Sequence, residues 1–446
     1  MKRKDIKFSY AGTCGISNEL IQRTADSLKA EIKNIKGGIK DGYATPYASV
    51  NLPGDKILLS AVKKAVAQKK KLNPKILIVV GIGGSNLGTM AVHEALNGAL
   101  YNEGDPKLKV YFAATDDADE LSDILVIAEK SLKRGENILV NVVTKSGSTT
   151  ETISIFELFV RLLKKYKKKS YSEYVVATTD KDSKLWNFAQ KEGYALLEIP
   201  KKVGGRFSVF SAVGLFPLAM LGVNVDELQK GALDMLSKCT KGEIKKNPAA
   251  ISATLIYLQN KRGKKNINDN FIFSTDLEAV GKWYRQLMAE SLGKIWNKTH
   301  TKKLNAGITP TVSIGSTDLH SMAQLYLGGP RDKFTTFICV EKNKSALDLP
   351  KYSDFNDLVE SIQGKPISSI MDAIYGGVKA AFKKSKRPYT EIVLPDKSAY
   401  SVGQLLQFKM IEMMFLGYLL DVNTFDQPAV ELYKKETRKI LTRKKS

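Results

Sequence analysis

Cysteine and histidine are scarce in this sequence, with three residues of each type in a chain of 446. Cys14, Cys239 and Cys339 lie far apart, so the sequence predicts neither a disulfide framework nor a paired-cysteine metal site. No group of histidine, aspartate and glutamate residues has the spacing of metal ligands either. We therefore expect no metal site, and the cysteine pattern fits a reducing compartment such as the cytoplasm.

Long apolar segments are also missing from the sequence. Four of the first five residues are charged, and the apolar core of a signal peptide does not follow them. The most apolar late segment, residues 410–420, is interrupted by Glu412 and is too short to span a bilayer. We therefore expect a cytoplasmic protein that does not associate with membranes.

Acidic residues are outnumbered by basic ones, 46 against 69, which gives a formal net charge of +23. Such a charge attracts nucleic acids, acidic membranes and phosphorylated metabolites. The basic residues form short runs at 164–169, 383–387 and 443–445, and only Tyr166 interrupts the first run. Because no base-stacking platform is evident, we expect solvated lysines and no nucleic-acid partner. Nucleic-acid binding is the alternative, and it would depend steeply on salt.

Short apolar runs alternate along the chain with helix-like segments, a pattern typical of parallel β-sheets covered by helices. The first set of predicted strands lies at 76–80, 110–115, 138–144, 175–179 and 195–199. The second set lies at 271–274, 311–315, 334–341 and 391–394. The sequence therefore predicts an α/β protein with two doubly wound parallel-sheet domains.

The predicted domains occupy residues 61–220 and 246–425. An irregular N-terminal arm, residues 1–60, contains one amphipathic helix near 19–36. A helical connection joins the domains at 221–245, and a basic helical tail covers 426–446.

A glycine-rich segment, GIGGSNLG at 81–88, follows the first predicted strand. Glycines at the end of a parallel strand allow a phosphate or sugar to approach the backbone, and the next helix N-terminus favours an anion. A dinucleotide fingerprint would need glycine at Asn86, and a P-loop would need lysine at Thr89. The segment therefore predicts an anion-binding turn that is neither a dinucleotide fingerprint nor a P-loop, with a plain tight turn as the alternative.

A second polar loop, TKSGSTTET at 144–152, follows the strand predicted at 138–144. Its hydroxyl groups and Lys145 converge at the carboxyl end of a strand, where open α/β sheets bind ligands. Several short hydroxyl donors can surround a phosphate without a metal ion. The loop predicts phosphate binding, and helix capping by serine and threonine is the alternative.

Glu290 shares one face of a helix predicted over 280–294 with Trp283 and Leu287. A carboxylate beside an apolar stripe can be partly desolvated, which suits a general base. The alternative is an ion pair with Lys294, four residues later, and the helix pattern alone favours that ion pair.

The three histidines differ in their surroundings. His320 lies in GSTDLHS, just after the strand predicted at 311–315, where a histidine could move a proton near neutral pH. A hydrogen-bonded structural histidine is the alternative. His93 lies within a helical pattern and His300 in a polar stretch, so we predict structural roles for both.

Two further basic residues lie in candidate functional segments. Arg206 follows two glycines, and its permanent charge could stabilise a developing oxyanion, with a surface arginine as the alternative. Near the end, FDQPAVELYKK at 425–435 lets Pro428 begin a helix that contains Lys434. The alternative for Lys434 is simple solvation.

Six segments together resemble the glucose-6-phosphate isomerase family, in its compact bacterial type. They are GIGGSNLG, VTKSGSTTET, VGGRFSVFSAVGL, QLMAESLGK, GSTDLHS and FDQPAVELYKK, in the order of the family. The resemblance implies two sugar-isomerase-type (SIS) domains of three αβα layers and an obligate homodimer. It also implies interconversion of glucose 6-phosphate and fructose 6-phosphate in glycolysis and gluconeogenesis, by ring opening and a cis-enediol, without metal or cofactor.

The resemblance also implies roles for individual residues. Glu290 looks like the base that moves the proton between C2 and C1, and Arg206 like the residue that stabilises the enediolate. His320 looks like the ring-opening residue, supplied by the partner subunit, and Lys434 looks like the tail lysine that assists it. The residues that resemble the family's phosphate and sugar contacts are Gly84, Ser85, Thr144, Lys145, Ser146, Thr149, Gly205 and Gln427.

The sequence departs from the family pattern in two places. Ala429 stands where the family usually has glycine, and the stretch 291–319 is longer than in many relatives. Neither change removes a residue of the implied site. Two alternative functions remain: an isomerase that also accepts mannose 6-phosphate, and a non-catalytic regulator that binds sugar phosphates. A regulator need not retain the base, the histidine, the arginine and the tail lysine together.

Overall fold

The computed structural model describes residues 4–241, 243–352, 354–355 and 357–442. The strands are β1 (Lys7–Ser9), β2 (Pro74–Val80), β3 (Lys109–Ala113), β4 (Asn137–Val143), β5 (Val175–Asp180), β6 (Ala195–Ile199), β7 (Ile267–Ile272), β8 (Lys294–Trp296), β9 (Lys303–Ala306), β10 (Thr309–Ile314), β11 (Lys333–Val340) and β12 (Tyr389–Leu394). The helices are α1 (Asn18–Asp26), α2 (Lys29–Lys40), α3 (Lys56–Lys70), α4 (Leu87–Asn97), α5 (Ala118–Lys133), α6 (Thr150–Lys167), α7 (Lys184–Glu192), α8 (Ala212–Met220), α9 (Val225–Thr240), α10 (Pro248–Lys261), α11 (Glu278–Leu292), α12 (Ala323–Gly328), α13 (Ile367–Lys384), α14 (Ala399–Leu419) and α15 (Val430–Thr442).

The first sheet is parallel throughout and has the strand order β3-β2-β4-β5-β6. Alternate residues of β2 face different layers. Ile76 and Ile78 join the apolar cluster of α5 and α6, whereas Leu77 and Val79 join that of α3 and α8. Because β3 and β4 lie on opposite sides of β2, the strand order reverses there. A crevice at such a reversal is where open sheets bind ligands.

The second sheet has the order β1-β12-β11-β7-β10. Strands β7, β10, β11 and β12 are parallel, and β1 adds an antiparallel edge to β12. The predicted α/β fold with two doubly wound parallel sheets is therefore confirmed. Helix α9 occupies most of the connection predicted at 221–245 and packs along the buried helix α14.

Several local predictions were wrong. The helix predicted near 19–36 is two helices, because the chain turns at Ser27 and buries Leu28 between them. The arm is not irregular throughout, because β1 pairs with the second sheet. The strand predicted at 271–274 begins earlier, at Ile267, and it includes buried polar residues such as Asn268, whose Nδ2 donates to the Phe334 carbonyl.

The basic runs lie mainly at helix ends. Lys164, Lys165 and Lys167 occupy the last turn of α6, where positive charge complements the helix dipole. The tail forms α15, none of whose residues is buried, while residues 443–445 of the third basic run lie outside the described residues. Within the part of the chain that the structure describes, none of the helices has the length and apolar character needed to cross a membrane.

Candidate active site

Two polar loops meet at the reversal of strand order in the first sheet. The glycine-rich segment leaves β2, and the hydroxyl-rich loop leaves the neighbouring strand β4. They are so close that a Cβ on Gly81 would lie 3.0 Å from the Val143 carbonyl oxygen. The two segments therefore form adjacent walls of one crevice, as their positions at strand ends suggested.

The hydroxyl groups of the loop after β4 point mainly at one another. Thr144 is buried, and its Oγ1 lies 2.9 Å from Oγ1 of Thr149. Thr149 occupies the N-cap position of α6, yet its side chain makes no capping hydrogen bond. Helix capping therefore does not explain why a hydroxyl side chain is present at position 149. The N–H groups of the first turn of α6 are therefore not capped by Thr149, and a helix N-terminus in this state favours an anion.

Lys145 adds positive charge to this loop. Burial lowers the pKa of its ammonium, and the Asp180 carboxylate opposes that effect. Burial also raises the pKa of Asp180 to about 6, against the influence of Lys145. The loop therefore combines hydroxyls, helix amides and a partly desolvated cation, which is a suitable environment for a phosphate group.

The glycine-rich segment touches a second glycine pair that is distant in sequence. A Cβ on Gly84 would lie 2.3 Å from the carbonyl carbon of Gly205, so the backbone approach requires glycine at position 84. Ser208 Oγ donates a hydrogen bond of 3.2 Å to the Gly84 carbonyl. This contact brings Ser85 and the first sheet's ligand crevice next to Arg206.

Arg206 is fully buried and holds together three parts of the chain. Its guanidinium donates to the Ser291 hydroxyl at 2.9 Å and to the Glu290 carboxylate at 3.2 Å. The remaining donations go to the tail loop, 423–427: to the Gln427 side-chain oxygen and to the carbonyls of Thr424 and Asp426. A surface arginine is therefore excluded. Burial lowers the pKa of Arg206, but the Glu290 carboxylate opposes that effect.

The Glu290 carboxylate lies beside this guanidinium. Its Oε2 pairs with Arg206, its Oε1 accepts a hydrogen bond of 3.0 Å from Gln286, and 28% of its side chain is exposed. The alternative ion pair with Lys294 is wrong, because the Lys294 ammonium donates to the Glu290 backbone carbonyl and pairs with Asp426. The carboxylate is thus positioned by two donors and still open to a ligand.

Two predicted catalytic residues lie apart from this cluster. His320 is exposed after a short 3₁₀ turn, and its N–H donates to the Thr317 carbonyl. Lys434 pairs with Glu431 at 2.9 Å on α15. Among the described residues of this one chain, no hydrogen bond or ion pair joins either side chain to Glu290 or Arg206, so both roles stay predictions.

The other two histidines were predicted to be structural. His93 is buried, lies 3.1 Å from the Asn97 amide, and has its pKa lowered to about 4 by burial, so that prediction is confirmed. His300 is exposed at the tip of the β8–β9 hairpin, and its backbone N–H donates to the Asn297 carbonyl.

The sequence analysis missed several residues of the cluster. Gln286 lies one helical turn before Glu290, and a Cβ on Gly83 would come within 2.9 Å of the Gln286 amide nitrogen. That spacing of four residues on one helix face could have identified Gln286. Ser291 and Asp426 gave no comparable pattern, because their contacts with Arg206 join segments distant in sequence.

Comparisons with known proteins agree with this arrangement. A family model described as phosphoglucose isomerase matches residues 64–446. The glucose-6-phosphate isomerase of Carboxydothermus hydrogenoformans is 36% identical over 378 residues, which cover 83% of this chain and 79% of that protein. The glucose-6-phosphate isomerase of Latilactobacillus sakei is 33% identical over 429 residues, which cover 94% of this chain and 92% of that protein.

Solved structures share the complete fold. A hypothetical protein of Thermus thermophilus matches with a TM-score of 0.87 and 27% identity, over 98% of this chain and 100% of that one. A glucose-6-phosphate isomerase of Chlamydia trachomatis shows the same fold, with a TM-score of 0.81 and 22% identity, over 98% of this chain and 88% of that one. By family model, sequence identity and coverage, this chain belongs to the phosphoglucose isomerase family.

Proposed function

We propose that this protein interconverts glucose 6-phosphate and fructose 6-phosphate, with Glu290 as the base. The observation that carries the proposal is the Glu290 carboxylate held 3.2 Å from the buried Arg206 guanidinium, beside a crevice lined by hydroxyl groups. An aldose–ketose isomerase needs a base and a nearby cation, together with an anchor for the phosphate. Membership of the phosphoglucose isomerase family supports the same reaction.

The proposed reaction begins with the phosphate in the loop 144–149, where the side chains of Thr144, Lys145, Ser146 and Thr149 would contact it. Binding there orients the distant reactive carbons, because energy from a remote group can be used for positioning. Gly84, Ser85 and Gly205 would contact the sugar through backbone groups and a hydroxyl.

Proton transfer would follow ring opening. Glu290 removes the proton from C2 of the open-chain aldose, the C2–H electron pair forms the C1–C2 double bond, and O1 takes up the negative charge. Arg206 stabilises this enediolate, with Gln427 beside it. Glu290 then delivers the proton to C1, the O2 proton is transferred to O1, and the C2 carbonyl forms as the C1–C2 double bond is lost. No atom is gained or lost, which suits an isomerase.

The ring-opening residues are proposed to require a homodimer. His320 of one subunit would act at the site of the other, and Lys434 would assist from the tail. The isolated chain supports this view, because His320 makes no described contact with Glu290. A cavity of about 570 Å³ also opens beside Glu290, between the β8–β9 hairpin and the tail.

Coexpression of two inactive variants tests the shared site. In a two-fold dimer of Glu290→Gln and His320→Ala subunits, one site combines both defects and the other has none. If the subunits pair at random, we expect about a quarter of the wild-type activity. Recovery should disappear when the two variants are purified separately and assayed without exchange. If His320 acts within its own subunit, no activity returns.

A coupled assay with fructose 6-phosphate, run with a chelator present, tests the proposed activity. Turnover that the chelator does not affect is expected, and binding of the sugar phosphate without turnover would favour the regulator instead. The same assay with mannose 6-phosphate measures whether the isomerase has a broader scope.

We place the reaction in glycolysis and gluconeogenesis, in the cytoplasm. The three cysteines are unpaired in the structure, which suits a reducing compartment. We also propose residues 61–220 and 246–425 as the two SIS domains, since the strands of the two large sheets fall within these ranges, apart from β1.

A further inference from the structure

Lys294 is a buried cation next to the proposed base. It is the first residue of β8, separated from α11 by Gly293, and only 6% of its side chain is exposed. Its ammonium donates to the Glu290 backbone carbonyl at 2.6 Å and to the Asp426 carbonyl, and it lies 3.2 Å from Asp426 Oδ1. Two of the three ammonium protons are therefore used in hydrogen bonds to backbone carbonyls, and the Asp426 carboxylate adds an ion pair.

The Asp426 carbonyl also accepts a hydrogen bond from a second cation. Arg206 Nη2 donates to the Asp426 carbonyl oxygen at 3.1 Å, while the Asp426 carboxylate accepts a hydrogen bond of 2.7 Å from Asn423. The tail loop, 423–427, is therefore fixed between Lys294 and Arg206. Gln427, the next residue, is in turn placed against the guanidinium.

The tail gains little from apolar packing. No residue of α15 is buried, and Leu432 and Tyr433 are largely exposed. Its position relative to α11 therefore depends on the tail loop. Burial lowers the pKa of Lys294, and Asp426 opposes that effect. A buried ammonium is expensive when an apolar side chain could fill the same volume, so a purely stabilising role explains it poorly.

We propose that Lys294 and Asp426 are positioning residues: together they form a clamp that holds the tail loop with Gln427 at a fixed distance from Glu290. The clamp acts through Glu290, Arg206 and Gln427, and it rests on the proposed function of those residues. The phosphate loop, 144–149, belongs to the other side of the crevice and does not depend on the clamp. Loss of the clamp should therefore impair turnover much more than substrate binding.

Lys294→Met tests the clamp, with Lys298→Met as a matched control on the same hairpin, where Lys298 is exposed. We expect Lys294→Met to lower kcat for fructose 6-phosphate by at least about tenfold and to change KM by less than about threefold. The control should keep both values. Hydrogen exchange of the backbone amides in 423–442 should be faster in Lys294→Met than in the wild type or in Lys298→Met, without a matching increase in the first sheet.

Asp426→Asn separates the two kinds of contact. It keeps the backbone carbonyl that accepts from Lys294 and removes only the ion pair, so its loss of kcat should be clearly smaller than that of Lys294→Met. The effect of Lys294→Met on kcat should also be smaller in a Gln427→Ala background than in the wild type, because both changes affect the same tail loop. If Lys294→Met does not fold, Lys294→Gln replaces it in the same comparisons.

The clamp is contradicted if Lys294→Met keeps kcat within about twofold, or if kcat falls while exchange in the tail is unchanged. Parallel losses of kcat and folded protein, without a specific effect on the tail, would also overturn it. Absence of isomerase activity in the wild type would instead overturn the proposed function. In that case the exchange comparison would still decide whether the clamp exists.

Discussion

Replacing Arg206 with lysine is the most informative single change to the network that joins the site. The substitution keeps the positive charge and removes the planar fork of donors. Arg206 donates to five acceptors, of which three belong to the tail loop: the Gln427 side-chain oxygen and the carbonyls of Thr424 and Asp426. A lysine ammonium has only three protons and a different reach, so at least two acceptors lose their donor.

The size of the effect follows from burial. An unpaired buried polar group costs about 1–3 kcal/mol. Gln427 is exposed and can bind water, and the Asp426 carbonyl still accepts a hydrogen bond from Lys294, so the loss falls mainly on the carbonyl of the buried Thr424. We therefore expect Arg206→Lys to lower the free energy of unfolding by about 1–3 kcal/mol. Because the remaining ammonium cannot pair with Glu290 in the same geometry, kcat should fall by at least about tenfold.

Urea unfolding followed by fluorescence measures the stability change, and the coupled isomerase assay measures kcat. Arg285→Lys is the control, since Arg285 is exposed on α11, the helix that carries Glu290, and the free energy of unfolding of this variant should change by less than about 0.5 kcal/mol. A loss below about 1 kcal/mol in Arg206→Lys, with normal kcat, would show that the guanidinium network neither stabilises the tail nor serves the reaction.

Three further results are expected. Thr144→Val removes a buried hydroxyl from the phosphate loop, so KM for fructose 6-phosphate should rise by about tenfold or more while kcat changes less; an unchanged KM would place the phosphate elsewhere. His93→Gln should flatten the pH dependence of stability. Burial lowers the pKa of His93 from 6.5 to about 4, so the stability present above pH 6.5 is lost as pH falls toward 4. Between pH 8 and pH 5 the wild type should lose about 2 kcal/mol more than His93→Gln in urea unfolding, and equal losses would contradict this reasoning. His320→Ala should slow the reaction of the cyclic sugar more than that of an open-chain analogue, and an equal loss with both would argue against ring opening by His320.

The first sheet was predictable because its strands are continuous apolar runs. Both faces of a parallel sheet are covered, so a segment such as Pro74–Val80 needs few polar residues and stands out in the sequence. The loops after β2 and β4 could be predicted as ligand-binding segments for a related reason, since ligands bind at the carboxyl ends of parallel strands.

The second sheet was harder to predict where polar residues are buried. Asp269 lies within β7 and accepts hydrogen bonds from Thr311, Ser313 and Tyr326, all from later segments. The sequence around Asp269 therefore looks like a loop until its partners are known. The short strand β1 has the same difficulty, because only its pairing with β12 distinguishes it from an irregular segment.

The site was predictable in its chemical groups and unpredictable in its connections. Glu290 and Arg206 could be selected as a base and a cation, but their contact spans two distant parts of the chain. The helix pattern favoured an ion pair between Glu290 and Lys294, because residues four apart are neighbours on a helix. The end of α11 and the tail loop instead direct the Lys294 ammonium to backbone oxygens and to Asp426. The partners of Lys294 are therefore determined by tertiary contacts and differ from the one that local spacing had suggested.

The turnover of Glu290→Gln tests the proposed base most directly. Glutamine keeps the shape and can still contact Gln286 and Arg206, but it cannot take the proton from C2. We predict at least about a 100-fold loss of kcat with fructose 6-phosphate, while the fold and the affinity for the sugar phosphate are retained. Turnover close to that of the wild type would show that another group moves the proton.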